Sequence, residues 1–341
     1  MPSLSPEDAC WLSLALTEAQ VYVGQTSPNP AVGAVVVRDS AVLGKGAHLG
    51  AGGPHAEVQA VSACTEDLAG ATLYVTLEPC STTGRTPPCC DLICAKKFAR
   101  VVIGCLDPNP KHAGRAIEIL QSARIEVVVA EGEIAQRCQE MIAPFAKRMI
   151  MGLPYLRLKL AMTLDGAIAD RSGKSQWISG EEARAWVQSL RARVDAVMVG
   201  AGTVRADHPS LQSRLPEVPL KQRILVDRSH PLPEADCLQP KTWVATKDLG
   251  YDGVHLESLL REICSRGIND VLCEGGGQLA GALLDAGLVD ELWCLYAPKI
   301  LGDRSAHSGF EGLHRTLPNA VGLTLVSVRQ LGSDVLLQYH R

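Results

Sequence analysis

Residue types that bind transition metals occur close together in the first third of the sequence, beside a carboxylate. Glu57 lies two positions after His55, and a Pro79–Cys80 pair precedes another cysteine, Cys89. An imidazole and two thiolates suit zinc, and three protein ligands leave the fourth position open for water. Zinc lowers the pKa of such a water toward neutrality, so the pattern predicts a hydrolytic metal centre.

Glu57 indicates which hydrolysis this centre would perform. In zinc deaminases, the glutamate of a His-x-Glu pattern is not a ligand but a general acid and base, which carries protons to the ring and to departing ammonia. Their second cysteine follows as Pro-Cys-x-x-Cys, whereas here it comes after a longer loop, with Cys90 and Cys94 beside Cys89. Spacing alone leaves open which cysteine binds metal. The alternative is a closed, non-catalytic zinc site, which would need no free carboxylate.

Composition narrows the class of protein. The chain has 341 residues, 46% hydrophobic and 21% charged, which predicts about two globular domains. The net charge is −4 and no basic stripe occurs, so we expect a small-molecule substrate and no nucleic acid. No secretory start and no long apolar run are seen, so we expect a cytoplasmic protein without a membrane segment. In a reducing compartment, its twelve cysteines favour metal binding over disulfides.

The first half of the chain alternates helix and strand patterns, which predicts a layered α/β domain. A serine followed by proline predicts a helix starting at residues 5–6, and another is expected to begin at residues 54–55. The remaining predicted segments are strands at 31–37, 41–46, 71–77, 101–105 and 125–129 and helices at 91–99, 114–123 and 133–149. Gly152 and Pro154 break the pattern, which predicts two domains, 1–150 and 151–341.

The second half alternates again and is predicted to be a second α/β domain. Its expected strands cover 155–161, 196–199, 223–226, 270–273, 291–296, 323–329 and 334–339, with helices at 181–193, 256–265 and 275–286, and the last three strands are expected to be antiparallel. Glu274 is followed by three glycines between a strand and a helix. Such a turn can present backbone N–H groups to phosphate, although a tight packing turn is the alternative.

Longer motifs carry a family resemblance. The segments that carry it are 28–33, 54–57, 74–80 and 84–89 in the first half and 159–166, 175–179, 202–207 and 297–299 in the second. Together with His48, they resemble the bifunctional riboflavin-biosynthesis deaminase-reductases over nearly the whole chain. The resemblance implies an N-terminal cytidine-deaminase-like α/β/α domain and a C-terminal dihydrofolate-reductase-like α/β domain.

For the first domain, the resemblance implies one zinc ion, with His55, Cys80 and Cys89 as ligands and Glu57 as the proton shuttle. It implies a phosphorylated pyrimidine substrate, a diamino-pyrimidinone ribosylamine phosphate that loses ammonia from ring carbon 2. The residues implied to contact this substrate are Asn29, His48 and Arg85. Arg85 would lie near the phosphate, for which a guanidinium fork is suited.

Two positions depart from the family pattern. The family usually has histidine where this chain has Ser27 and Thr82, so two imidazoles that would donate to substrate are missing. One interpretation is that serine and threonine hydroxyls donate instead. The other is a specialised paralogue that deaminates a related intermediate, with altered or absent reductase activity.

For the second domain, the resemblance implies NADPH and reduction of the ribosyl group to ribityl. The polar residues implied near the reacting sugar are Lys159, Asp207 and Glu274, and those lining the substrate are Ser175, Arg191, Leu211, Arg214 and Glu274, with both arginines binding phosphate. The cofactor would be contacted by Ala161, Trp177, Thr203, Asp207, Arg228, Ser229, Gly276, Gly277, Gln278, Leu279, Ala280, Gly281 and Ala282. The alternatives are that Lys159 and Arg191 are solvated charges and that Trp177 belongs to the core. By analogy we expect a homo-oligomer.

Overall fold

The chain divides between Gly152 and Leu153 into two units, and each has its own sheet. The computed structural model describes residues 4–83, 87–110, 112–216, 218–219, 221–226, 241–245 and 256–341. Arg85, Arg228 and Ser229, for which the sequence predicts ligand contacts, lie outside these residues. No helix of the described part is long and apolar enough to cross a membrane.

The first unit is built around a five-stranded sheet of order β2-β1-β3-β4-β5. Its elements are α1 (Pro6–Gln20), β1 (Gly33–Arg38), β2 (Ala41–Ala47), α2 (Ala56–Ser62), β3 (Thr72–Val75), α3 (Cys89–Ala95), β4 (Arg100–Ile103), α4 (Arg115–Ser122), β5 (Glu126–Val129) and α5 (Gly132–Met151). Strand β1 is antiparallel to both β2 and β3, whereas β3, β4 and β5 are parallel. The parallel strands end at one edge of the sheet, where the loops that carry the metal-binding residues begin.

Helices cover both faces of this sheet. Leu12 of α1 and Ile142 of α5 pack in one buried cluster, whereas Ala60 of α2, Ile93 of α3 and Leu120 of α4 pack in the other. Residues within β1, β3, β4 and β5 alternate between the two clusters, as side chains of a strand buried on both faces must. The unit is therefore the α/β/α layered domain that the sequence predicts.

Local signals set the ends of its first elements. The hydroxyl of Ser5 accepts a hydrogen bond from the backbone N–H of Asp8, and the Asp8 carboxylate accepts one from the backbone N–H of Ser5, so α1 starts with a capping box. Asp39 and Ser40 both have positive φ, 52° and 57°, as a tight two-residue hairpin requires. Gly33 of β1 is needed for close approach, because a Cβ there would lie 1.9 Å from the carbonyl oxygen of Ala15.

The second unit has an eight-stranded sheet of order β10-β9-β8-β11-β6-β12-β15-β14. Its described elements are β6 (Tyr155–Thr163), β7 (Ala167–Ala169), α6 (Glu181–Arg193), β8 (Ala196–Gly200), α7 (Ala201–Asp207), β9 (Gln222–Val226), β10 (Thr242–Ala245), α8 (Leu256–Ser265), β11 (Asp270–Cys273), α9 (Gly277–Asp285), β12 (Glu291–Ala297), β13 (His307–Ser308), β14 (Thr324–Leu331) and β15 (Asp334–His340). Strand β15 pairs antiparallel with both β12 and β14, as predicted for the last three strands, and β12 also pairs parallel with β6.

Helices α8 and α9 pack on one face of this sheet and α6 on the other. Leu260 and Leu283 belong to the largest cluster, with residues from β6, β8 and β11. Leu190 of α6 lies in a second cluster on the opposite face. The elements that the sequence analysis missed are α7, β7, β10 and β13. Strands β7 and β13 have only three and two residues, too few for a periodic pattern, and α7 follows β8 without a connecting residue.

Candidate active sites

The three predicted metal ligands converge at the first unit's sheet edge. His55 is the residue immediately before α2, Cys80 lies in the loop after β3, and Cys89 is the first residue of α3. The Nδ1 atom of His55 lies 3.5 Å from the Sγ of Cys80 and 3.4 Å from the Sγ of Cys89. All three ligand atoms lie within 4.8 Å of one another.

These distances fit zinc. Zinc–nitrogen and zinc–sulfur bonds of about 2.0 and 2.3 Å, at a tetrahedral angle, separate the two ligand atoms by about 3.5 Å. Of the two adjacent cysteines, Cys89 faces His55, whereas the thiol of Cys90 lies 3.9 Å from the carbonyl oxygen of Pro79, which favours Cys89 as the ligand.

Electrostatics at this site favour a bound cation. Hydrogen bonds from Cys89 and His55 outweigh burial and lower the pKa of the Cys80 thiol to about 4, so it is a thiolate at neutral pH. The backbone N–H of Cys89 donates to this sulfur at 3.2 Å. The hydrogen bond between the two side chains, in which the Cys89 thiol donates to Cys80, raises the pKa of Cys89, so a divalent ion would replace the shared proton.

Glu57 lies beside these ligands without being one of them. It is the second residue of α2 and only 4% exposed, and burial raises its pKa above the ordinary value. Burial thus favours the protonated form of Glu57, and a carboxyl group that can hold and release a proton is what general acid and base catalysis needs.

Asn29 and His48 form a fixed pair at the same site. His48 is buried, its Nδ1 lies 3.0 Å from the carbonyl oxygen of Pro54, and its Nε2 lies 3.0 Å from Nδ2 of Asn29. A carbonyl oxygen can only accept, so Nδ1 carries the proton and Nε2 accepts from the Asn29 amide. Because burial lowers the pKa of His48, the ring is neutral. The carboxamide oxygen of Asn29 is therefore turned away from His48.

Sequence reasoning missed one residue that stabilises the loop carrying Cys80. Glu78, two residues before Cys80, is 5% exposed and accepts hydrogen bonds from the backbone N–H groups of Asp107, Gly114 and Ala116 at 3.0 to 3.1 Å. It ties the loop after β4 to the cysteine loop. An acidic residue directly before the Pro79–Cys80 pair is the sequence signal that could have found it.

The second unit contains a cavity of about 810 Å³, within the usual range for small-molecule sites. Eleven of the predicted substrate and cofactor residues line it: Lys159, Ala161, Ser175, Trp177, Arg191, Thr203, Asp207, Leu211, Arg214, Glu274 and Gly276. They come from β6, α6, α7, the loops before and after these helices, and the glycine turn before α9. The structure therefore brings most of the predicted substrate and cofactor residues of the second domain together in one cavity.

Ion pairs and hydrogen bonds hold the polar members of the cavity. Arg191 donates to both carboxylate oxygens of Glu274, and Lys159 lies 3.8 Å from the same carboxylate. The Ser175 hydroxyl donates to Asp207 at 2.5 Å. Lys159 and Arg191 are 13% exposed, which argues against the interpretation that they are solvated surface charges.

The structure bears on the alternatives named for Trp177 and for the glycines at the start of α9. Trp177 is 61% exposed and stacks on the Arg184 guanidinium, so it is not a core residue. Gly277 and Gly281 pack against backbone, because a Cβ on either would lie 2.0 Å from the carbonyl oxygen of Ser308 or Glu311. Gly277, Gln278, Leu279, Ala280, Gly281 and Ala282 do not line the cavity, and their contact with a cofactor stays a prediction.

The cavity-lining residues of α6 that sequence reasoning missed include Arg184 and Gln188. Both lie on the helical face that carries Arg191, because residues three and four positions apart are neighbours on a helix. Counting back from Arg191 along the predicted helix could have found them.

Comparisons with known proteins assign each unit to a family model. Residues 6–105 match the cytidine and deoxycytidylate deaminase zinc-binding region. Residues 154–337 match the RibD C-terminal domain.

Full-length relatives carry both parts in the same order. The chain is 40% identical to riboflavin biosynthesis protein RibD of Escherichia coli (strain K12), over 97% of this chain and 98% of the relative. The RibD of Actinobacillus pleuropneumoniae is 39% identical, with 97% and 95% covered.

Two solved structures are similar over nearly their whole length. Acinetobacter baumannii RibD, form 1, has a TM-score of 0.90 at 37% identity, with 98% of each chain covered. The Thermotoga maritima diaminohydroxyphosphoribosylaminopyrimidine deaminase/5-amino-6-(5-phosphoribosylamino)uracil reductase has a TM-score of 0.91 at 34% identity, with the same coverage.

Fold and sites together define a two-part enzyme, in which a deaminase unit of the zinc-binding type precedes a reductase unit. The chain belongs to the RibD family, the bifunctional deaminase-reductases of riboflavin biosynthesis. The predicted family, fold class and pair of enzyme activities are thereby confirmed.

Proposed function

We propose that the first domain, residues 1–150, deaminates 2,5-diamino-6-(5-phosphoribosylamino)pyrimidin-4-one, and that the second, residues 151–341, then reduces the ribosyl group to ribityl with NADPH. The observation that carries the proposal is the presence of two separate chemistries in two units, a zinc-type triad in one and a polar cavity in the other. The Thermotoga maritima relative is named for the same pair of reactions.

In the deaminase domain, His55, Cys80 and Cys89 would hold zinc. When bound there, the ion supplies an activated water. Glu57 would take a proton from the attacking water and pass it to a ring nitrogen, and would then carry the second proton, from the hydroxyl group now on the ring carbon, to the amino group that leaves as ammonia. Because Glu57 is buried, its proton passes between these positions without exchange with bulk solvent.

Asn29 and His48 have different tasks in this proposal. Both ring nitrogens of His48 are occupied by protein partners, so the imidazole orients Asn29 rather than binding substrate through nitrogen. The free carboxamide oxygen of Asn29 accepts from an N–H group of the pyrimidine. Ser27 and Thr82 stand where the family usually has histidine, and Thr82 is exposed, so a hydroxyl there can still donate.

In the reductase domain, the residues on the cavity floor would act on the opened sugar. Lys159 donates a proton or stabilises charge as hydride arrives at the anomeric carbon, and Glu274, itself fixed by Arg191, holds its ammonium in place. Asp207, fixed by Ser175, binds a polyol hydroxyl. NADPH would lie along Ala161, Trp177, Thr203 and the Gly276 turn, where a Cβ at Gly276 would crowd the Thr203 hydroxyl at 3.3 Å.

The test is to give the diamino-pyrimidinone phosphate to purified protein, with and without NADPH. Ammonia release followed by loss of NADPH absorbance is the expected result. Ammonia release with no NADPH consumption would contradict the reductase assignment and favour the specialised paralogue. Zinc content without either activity would favour a structural metal site.

Two further parts of the proposal concern the state of the protein in the cell. The eleven cysteines among the described residues are free thiols, which supports a reducing, cytoplasmic setting. A homo-oligomer is proposed by analogy alone, and light scattering of the purified chain would measure it.

A further inference from the structure

Among the residues of helix α6 that line the reductase cavity are two arginines and a glutamine on one face of the helix. Arg184, Gln188 and Arg191 are spaced by four and three residues and all line the cavity. Arg191 binds Glu274, and Arg184 stacks on Trp177. Gln188 has no charge, and its contacts point to a different kind of task.

The basic residues that line the cavity are Lys159, Arg184, Arg191 and Arg214. Lys159 and Arg191 pair with Glu274, and Arg184 donates to the carbonyl oxygen of Ser179 at 2.6 Å. Within the described part of the chain, only Arg214 among these four has a side chain without a protein partner. A phosphate that enters the cavity therefore finds its available cation at Arg214.

Arg214 is exposed, and it lies on a loop that α6 holds in place. The backbone N–H of Arg214 donates to Oε1 of Gln188 at 2.8 Å. The hydroxyl of Ser213 donates to the backbone oxygen of Gln188 at 3.0 Å, and Arg191 donates to the carbonyl oxygen of Gln212 at 3.2 Å. The Gln188 side chain thus fixes the point from which the Arg214 side chain extends.

We propose that Gln188 is a positioning residue for phosphate recognition in the reductase site, acting through Arg214. This rests on the proposed function, in which the reductase substrate carries a phosphate. A long arginine side chain loses conformational freedom when it binds phosphate. A backbone that is already anchored has less freedom of its own to lose, so the total entropy cost of binding is smaller. Phosphate binding is the same in ground and transition states, so the effect belongs in KM rather than in kcat.

The test compares reductase kinetics on 5-amino-6-(5-phosphoribosylamino)uracil and on its dephosphorylated nucleoside. Gln188→Met keeps the length of the side chain but removes the acceptor, and Gln188→Asn is too short to reach. Both are expected to raise KM for the phosphorylated substrate about 2- to 10-fold, the worth of one hydrogen bond. The kcat, and KM for the nucleoside, should stay near wild type. Gln222→Met, on an exposed glutamine at the start of β9 that does not line the cavity, is the control.

A second arm separates this inference from the proposed function. In an Arg214→Ala background, Gln188→Met should add almost nothing, because the backbone it holds no longer carries the guanidinium. If Arg214→Ala raises KM for the phosphorylated substrate and Gln188→Met does not, the inference about Gln188 is wrong and the phosphate role of Arg214 stands. If Arg214→Ala leaves KM unchanged, both fall. A fall in kcat on both substrates would show a merely structural role.

Discussion

Arg191 and Glu274 form a two-point contact in the floor of the reductase cavity. The Nε and Nη2 atoms of the guanidinium donate to the two carboxylate oxygens at 2.6 and 2.9 Å. Burial alone would raise the pKa of Glu274, but Arg191 and Lys159 hold it below the ordinary value. One buried anion therefore lies between two cations, and the group as a whole carries one positive charge.

Removal of the Arg191 guanidinium should destabilise this group of three charges more than the loss of side-chain volume alone would. Arg191→Ala leaves Glu274 ionised, buried and paired only with Lys159 at 3.8 Å. Breaking a buried ion pair costs about 3–5 kcal/mol. We expect loss of reductase activity and a lower denaturation midpoint for the second domain, while ammonia release persists. Arg193→Ala, on an exposed arginine at the end of the same helix, should change neither.

The pH dependence of reduction should report Lys159. Burial lowers the pKa of this lysine from 10.5, Glu274 opposes the shift, and Arg191 adds to it. The protonated form is lost as pH rises through that lowered pKa, so reductase kcat should fall on the alkaline side, below pH 10.5. Lys159→Arg stays protonated over this range and should have lower activity without the alkaline fall. An identical alkaline limb in both proteins would mean that another group titrates.

Much of the fold could be predicted from the sequence, because its signals are local. The strand at Asp270–Cys273 and the helix at Leu256–Ser265 are predicted with the same bounds, since each combines one periodicity with clear ends. Among the described strands, β7 and β13 pair only with each other, through residues far apart in the chain. Their strand character arises from tertiary pairing, which no local pattern contains.

The candidate sites, like the fold, could be predicted from the sequence only in part. Residue types identified a zinc ligand set, but the choice of Cys89 over Cys90 depends on where the first turn of α3 points each thiol. The sequence placed Arg191 among the phosphate contacts, whereas in the structure its guanidinium is bound to Glu274, 83 positions away. A partner that distant in the sequence can be identified only in the folded domain, where α6 and β11 have packed together.

The neighbouring cysteines of α3 allow a matched test of the metal centre. Cys89→Ser replaces a proposed ligand, and we expect zinc content and ammonia release to fall together. Cys90→Ser changes the adjacent buried thiol, which faces the carbonyl oxygen of Pro79, and should keep near-full zinc. Elemental analysis of dialysed proteins is the measurement. Zinc retained in the first variant and lost in the second would reverse the ligand assignment.

Glu57 allows metal binding to be separated from proton transfer. Glu57→Gln preserves the size and burial of the side chain but cannot take up a proton, so zinc should stay bound. Deamination should fall by about 100-fold or more, the usual worth of a general acid and base. Reduction of supplied 5-amino-6-(5-phosphoribosylamino)uracil should be unaffected, because that site lies in the other unit. Glu66→Gln, on an exposed carboxylate, is the control. Near-full ammonia release by Glu57→Gln would leave the proton shuttle without a residue, because Glu57 is the carboxylate placed beside His55 and Cys89.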